Sequence, residues 1–379
     1  MAQGITLISG SPLIGSPIVY RVTPAAYSAA RTFHRIMVRV YAALETDGEY
    51  TTFDFSTPVE TSAVSGGYAT VAADFDISSA LQAVADKYEY EANPNFGDAS
   101  SRYPYIKFRV EAWDEWMVDG TIYPQQGLVA WPSLPVGQRR FYAYAFMGSW
   151  TDLERMKANV DQSGMEYLNT SVMSRKPNSS PEVVFVDKPF IYPATFNRSI
   201  LDTDHMSDDV NPMFVSGAPT NGPMSQSYTP SSVGALVVGG HSVYAITAPT
   251  NSYILRFVNG MGCMESLCVT SFVKREVPIT TDKNTVARQE TLKKFSRGVV
   301  RKSNDRETWY LTSGALDKAW ASWYIHEFLM TEQAWIQMGT LWIPCHVVPE
   351  ETTVLEDLTK AQPYEVQFKL EMDMNGSPL

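Results

Sequence analysis

The densest set of potential metal ligands in this 379-residue chain is Asp202, Asp204, His205, Asp208 and Asp209. Carboxylates spaced this closely suit Ca²⁺, but the stretch has no ligand at the third step of an EF-hand loop, no central glycine and no terminal Glu, so it reads as a solvated acidic loop. Cys345 and His346 invite a thiol–imidazole reading. Adjacent strand residues point to opposite faces, and catalytic Cys and His normally meet from distant sequence. Asp114 and Glu115 are adjacent too, which is the wrong spacing for two carboxylates flanking one glycosidic bond. His34, His241 and His326 are scattered, and no HExxH, GxSxG or P-loop occurs. Residues 10–17, GSPLIGSP, lack the Lys-Ser/Thr step of a phosphate cradle. The chain is therefore expected to be no enzyme and to hold no metal or cofactor.

Two other groups of residues point to binding. Lys293, Lys294, Arg297, Arg301, Lys302 and Arg306 form a local basic stretch in a chain of net charge −11. It is either the wet face of a hairpin turning at SNDR or a docking patch for an acidic neighbour, most simply another copy of this chain. Trp113, Trp116, Trp131 and Trp150 could offer flat platforms for sugar rings, although Trp in a sandwich more often serves core or subunit interface.

These residues must be positioned by strands for the most part. In residues 31–44, His34, Ile36, Val38, Val40 and Ala42 alternate with Arg35, Met37, Arg39 and Tyr41; in 106–112, apolar Ile106, Phe108, Val110 and Ala112 alternate with Lys107, Arg109 and Glu111. Asp47-Gly48, Gly66-Gly67 and Asp119-Gly120 supply turns, the pattern of a β-sandwich over residues 1–150. Asp76 ahead of Ile77, Leu81 and Val84 predicts one short helix. Thr151 and Glu154 have capping-box spacing and predict another. Residues 151–232 form the second region; from 161 onward, prolines and polar runs break every period, predicting extended arms with a few short strands that order against a neighbouring subunit.

Residues 233–379 return to strands. Leu316, Trp320, Trp323 and Tyr324 recur at helical spacing and predict the principal helix over residues 315–329, with Glu327 off its apolar stripe. Trp309 and Leu311 precede it. Tyr364, Val366, Phe368, Leu370 and Met372 then alternate with charged or polar residues and predict a final strand with one wet face. The fold class expected is thus mainly β with one principal α-helix near the C-terminus.

The hydrophobic fraction of 44% with 19% charged residues excludes a disordered chain. The acidic balance argues against sequence-independent DNA binding by the whole surface, while an acidic wall past which DNA slides stays allowed. No secretory signal and no run of ~20 apolar residues is present, so synthesis in the cytoplasm without membrane insertion is expected. Cys263, Cys268 and Cys345 include no CxxC and are expected as reduced thiols.

The run LRFVNGMGCMES (residues 255–266), RGVVRKSNDRETWYLTSGALDK, the following helix with FLMTEQAWIQ, IPCHVV and a last QFKLEMDMNGSP strand resemble tail or baseplate structural proteins, of the distal-tail type, from phages and prophages of Bacteroidota. The likeness spans about the last third of the chain and rests on the order of elements. It implies tail-tube-like β domains, a virion location after synthesis in the host, assembly as a ring with itself and other tail proteins, and no catalytic residues. The acidic residues Asp202 to Asp209 and the basic stretch are then the candidate complementary patches. An adhesion or carbohydrate-binding module at a host surface is the alternative.

Overall fold

The computed structural model describes residues 4–10, 13–45, 47, 49–91, 103–123, 139–149, 174–197, 221–276, 279–286, 297–304, 308–349 and 364–372. The fold is mainly β and sandwich-like. Strands are numbered in chain order.

The first core is built on the long strands β3 (Thr32–Leu44) and β8 (Tyr105–Val118), flanked by β4 (Thr51–Pro58) and β10 (Arg139–Phe146), with β9 (Thr121–Tyr123) turning back on β8. Their inward residues, Ile36, Val38, Val40 and Ala42 with Ile106, Phe108, Val110 and Ala112, follow the alternation in the sequence and are buried. Over them lie β1 (Gly4–Gly10), β2 (Ile18–Thr23), β7 (Ala73–Asp76) and helix α1 (Ser78–Ala85), contributing Ile18, Tyr20, Val22, Leu81 and Val84 to one cluster. The capping position falls on Ile77, which offers no side-chain cap, and Asp76 lies one residue ahead of it: its carboxylate accepts from the Ser78 amide (3.0 Å) and also from that of Ile18 (3.2 Å). A small hairpin, β5 (Thr61–Val64) and β6 (Gly67–Thr70), follows β4. Asp119 and Gly120 both take positive φ, the geometry of the tight turn their types predict.

The other face of β8 is covered as well. Arg109 is fully buried and Glu111 nearly so, with the Arg109 guanidinium 4.0 Å from the centre of the Tyr41 ring and 3.1 Å from Glu111. Alternation correctly separates the two faces, but it cannot tell a wet face from a covered polar one.

The C-terminal region forms a seven-stranded sheet in the order β17 (Met264–Val269), β16 (Tyr253–Val258), β22 (Ala334–Met338), β23 (Leu341–Pro349), β24 (Gln367–Met372), β21 (Thr308–Thr312), β18 (Ser271–Glu276). Helix α2 (Lys318–His326) packs on it through Trp320, Ala321, Trp323 and Tyr324, against Phe257, Phe368 and Leu370. The helix is shorter than the 315–329 predicted. Asp317 caps it, accepting from the Trp320 amide at 2.9 Å, while Leu316 is drawn into a two-bond bridge with Tyr364. A 3₁₀ turn (Phe328–Met330) follows. On β24, Phe368, Leu370 and Met372 are buried as their alternation requires.

Among the described residues of 161–232 there are three strands: β11 (Glu182–Phe185), β12 (Phe190–Asn197) and β13 (Asn221–Tyr228). The third is a correction, since its sequence NGPMSQSY reads as loop. It pairs antiparallel with β12 and is fixed by polar bonds in place of an apolar stripe: Ser225 bonds the Tyr103 hydroxyl (2.7 Å) and the Met264 carbonyl (2.8 Å). On β12, the Ile191 amide donates to Ser266 Oγ at 2.9 Å. β11 runs parallel to β15 (His241–Ile246), which forms a hairpin with β14 (Gly234–Val238). The helix predicted at Thr151 lies outside the described residues.

The two cores meet at the 259–263 turn, whose Met261 and Cys263 belong to the N-terminal cluster. Asn259 organises this turn: its Oδ1 accepts from the amides of Met261 (3.1 Å) and Cys263 (2.9 Å). The Ser149 amide donates to the Gly260 carbonyl at 2.6 Å.

Candidate functional site

β18 and β21 do not end at the sheet. Glu276 faces Thr308, and beyond a short break Ile279 faces Asn304, so the ladder resumes almost in register as β19 (Ile279–Val286) and β20 (Arg297–Asn304). This pair forms a sheet of its own. Arg297, Arg301 and Lys302 are placed on β20, opposite Val286, Asp282 and Thr281. Lys293, Lys294 and Arg306 lie outside the described residues, as do Asp202, Asp204, His205, Asp208 and Asp209. A two-stranded ribbon is marginal in water and gains independent stability only with further strands or a packing partner.

The aromatic candidates separate. Trp113 is buried beside Arg39, and its Nε1 donates to Glu115 at 3.1 Å. Trp116 is half-buried, with the Arg31 guanidinium 4.0 Å from its ring centre and His34 edge-on at 5.9 Å. It lines a pocket of about 390 Å³ with Phe33, His34 and Ile122. Phe33 is 79% exposed and has φ +49°, a conformation a bulky residue seldom adopts, at an irregularity in the β3–β8 pairing. Trp131 and Trp150 lie outside the described residues. Asp114 and Glu115 turn to opposite faces: Asp114 accepts from the Ala25 amide and lies 3.3 Å from His34, whereas Glu115 holds Arg35 at 2.6 Å.

Cys345 is buried and His346 exposed on β23. Burial pushes the Cys345 thiol up to about 12, far from a thiolate nucleophile. All three cysteines are free. Among the described residues, no three His, Cys, Asp or Glu side chains gather as metal ligands.

The most chemically unusual cluster is one that spacing did not single out. Lys176, Glu182 and Glu265 are all buried, with Lys176 Nζ 2.8 Å from Glu182 Oε1, 3.3 Å from Glu265 Oε2 and 2.7 Å from the Ser266 carbonyl. The rings of Phe190 and Trp323 lie 5.4 and 5.6 Å from the amine. Asn259 Nδ2 donates to Glu265 Oε1 in a short contact. Burial pushes the Glu182 carboxyl up to about 7 despite the adjacent amine. Glu265 inside the apolar run MGCMESLCV is the sequence signal for this cluster. Glu327, expected off the helix stripe, is likewise buried, bonding Arg175 (2.7 Å) and the Gly260 amide (2.6 Å).

His241 stands near the same junction, its pKa lowered to about 4 by burial and then by the charge of Lys176. With the folded value below the ordinary 6.5, the unfolded chain takes up a proton between those values that the folded chain refuses. Stability from neutral His241 is complete above about pH 6.5 and is lost as pH falls toward 4. Urea unfolding at pH 7 and about pH 4.5 should show His241→Gln losing less stability on acidification than wild type, by about 2 kcal/mol.

The geometry defines a multi-sheet, mainly β protein carrying a basic two-stranded arm and a dry ionic junction. Compared with known protein families, curated proteins and solved structures, the chain matches none.

Proposed function

We propose that the protein is a non-enzymatic structural component of a phage or phage-like tail tip or baseplate, which assembles as a homo-oligomeric ring. The observation that carries this reading is the β19–β20 arm, a ribbon outside the main sheet whose two strands need a partner to be stable and whose residues include Arg297, Arg301 and Lys302. An acidic chain with a basic arm has complementary patches on one copy, as a heterologous, ring-closing contact requires. The acidic partner in this reading is the sequence stretch 202–209, with Asp202, Asp204, Asp208 and Asp209. Other tail proteins extend the ring above and below, and DNA passes along the axis without specific contacts. The protein is made in the host cytoplasm, enters no membrane, and ends in the virion.

Charge reversal tests the arm. Replacing Lys293, Arg297 and Arg301 together with Glu should weaken self-association and alter its salt dependence, while circular dichroism still reports the folded monomer. Sedimentation at equal concentrations reads the difference; unchanged association would remove the arm from the interface.

The Phe33–Trp116 pocket supports the second reading, adhesion to a host-surface carbohydrate, because an exposed aromatic is held in an unfavourable backbone conformation beside a cavity. Arg31 covers one face of Trp116, which leaves Phe33 as the more open ring.

A further inference from the structure

We propose that Lys176 and Glu182 condense to a side-chain amide in the folded protein, with Glu265 carrying the proton. The three groups have the roles this reaction needs. Lys176 Nζ, the nucleophile, sits 2.8 Å from Glu182 Oε1, in direct contact with the carboxyl group it would attack. Glu182 Oε2 has no hydrogen-bond partner among the described residues and is the oxygen left to depart. Glu265 Oε2 lies 3.3 Å from the same amine and is the base, held in place through its other oxygen by Asn259.

The step balances without any added reagent. A proton moves from the Lys176 ammonium to Glu265, and the amine attacks Glu182 Cδ to form the Nζ–Cδ bond. Glu265 returns the proton to the departing oxygen, the Cδ–O bond breaks, and one water leaves; the second hydrogen of that water comes from Nζ by the same relay. Ammonium and carboxylate become a neutral amide plus water, and Glu265 ends as it began.

In bulk water such a condensation is opposed by the solvation of the two ions. Here that solvation is removed, since the side chains of Lys176, Glu182 and Glu265 are 3%, 5% and 0% exposed. Phe190 and Trp323 wall the amine. Fixed contact between reacting atoms replaces a bimolecular encounter, for which effective molarities reach about 10⁵–10⁸ M. The raised Glu182 carboxyl brings its neutral, electrophilic form within reach near neutral pH. The product removes two buried charges whose separate survival is costly. It is a single self-modification of the chain, compatible with a structural role, and it ties down the 176–182 segment where that segment enters β11.

Intact-protein mass spectrometry of the folded, full-length chain tests this directly. The expected mass is one water below that of the sequence. Trypsin, which does not cut the Lys188–Pro189 bond, should yield the 176–198 peptide lighter by one water, and its fragmentation should give no backbone cleavage products from within residues 176–182 that separate the two linked side chains. Glu265→Gln keeps the size of the residue but removes the base; it should fold and retain the full sequence mass. A wild type at full mass with a linear 176–198 peptide overturns the proposal. So does a water loss that maps elsewhere, or one that persists undiminished in Glu265→Gln.

Discussion

Replacing Trp320 with alanine should lower the unfolding free energy by about 3–5 kcal/mol, the usual loss for a truncated buried aromatic. Trp320 is 5% exposed, sits edge-to-face with Trp323 at 5.4 Å, and donates from Nε1 to the Ser180 carbonyl at 3.2 Å. Truncation therefore opens a cavity under α2 and also strands that carbonyl. The helix belongs to a continuous aromatic stack in which Trp323, Phe328 and Phe368 follow one another, with Phe328 and Phe368 centred 5.1 Å apart. Denaturant unfolding followed by circular dichroism measures the loss. A variant melting with wild type would mean that the helix does not close this core.

Gly262→Ala should cost about 2–5 kcal/mol, combining a left-handed backbone penalty with overpacking. Gly262 has φ +78°, and a Cβ there would lie 2.4 Å from the Met147 carbonyl oxygen. Gly148, at φ +103°, faces the same contact from the other side, its Cβ position 2.1 Å from the Met261 carbonyl carbon. Both obstacles are backbone, so no rotamer change relieves them. The turn at 259–263 is thus a close backbone joint between the two cores. The same denaturation experiment applies, and a Gly262→Ala protein of wild-type stability would show that the joint can part at little cost.

Much of this fold is legible in residue spacing, because apolar burial imposes a period that local sequence carries. The alternation through Ile36, Val38 and Val40, and through Phe368, Leu370 and Met372, marks the buried faces of β3 and β24. Helix α2 is legible by its Trp and Tyr spacing, but its start is not, since Leu316 is claimed by Tyr364 from nearly fifty residues away. β13 is illegible for a related reason: Ser225 secures it by hydrogen bonds to Tyr103 and Met264, and such bonds leave no periodic trace. The ionic junction is hidden by distance, with Lys176 in a proline-rich loop and Ser266 ninety positions on. Only the charge of Glu265 within apolar neighbours signals it.

A protein with the proposed function assembles with itself through the β19–β20 arm. Sedimentation of the purified wild-type chain over a range of concentrations, with electron micrographs of the fastest species, is the most direct measurement. A concentration-dependent shift from monomer to one closed, ring-shaped oligomer is expected. A chain that stays monomeric at every concentration, or that forms open, irregular aggregates, would contradict it.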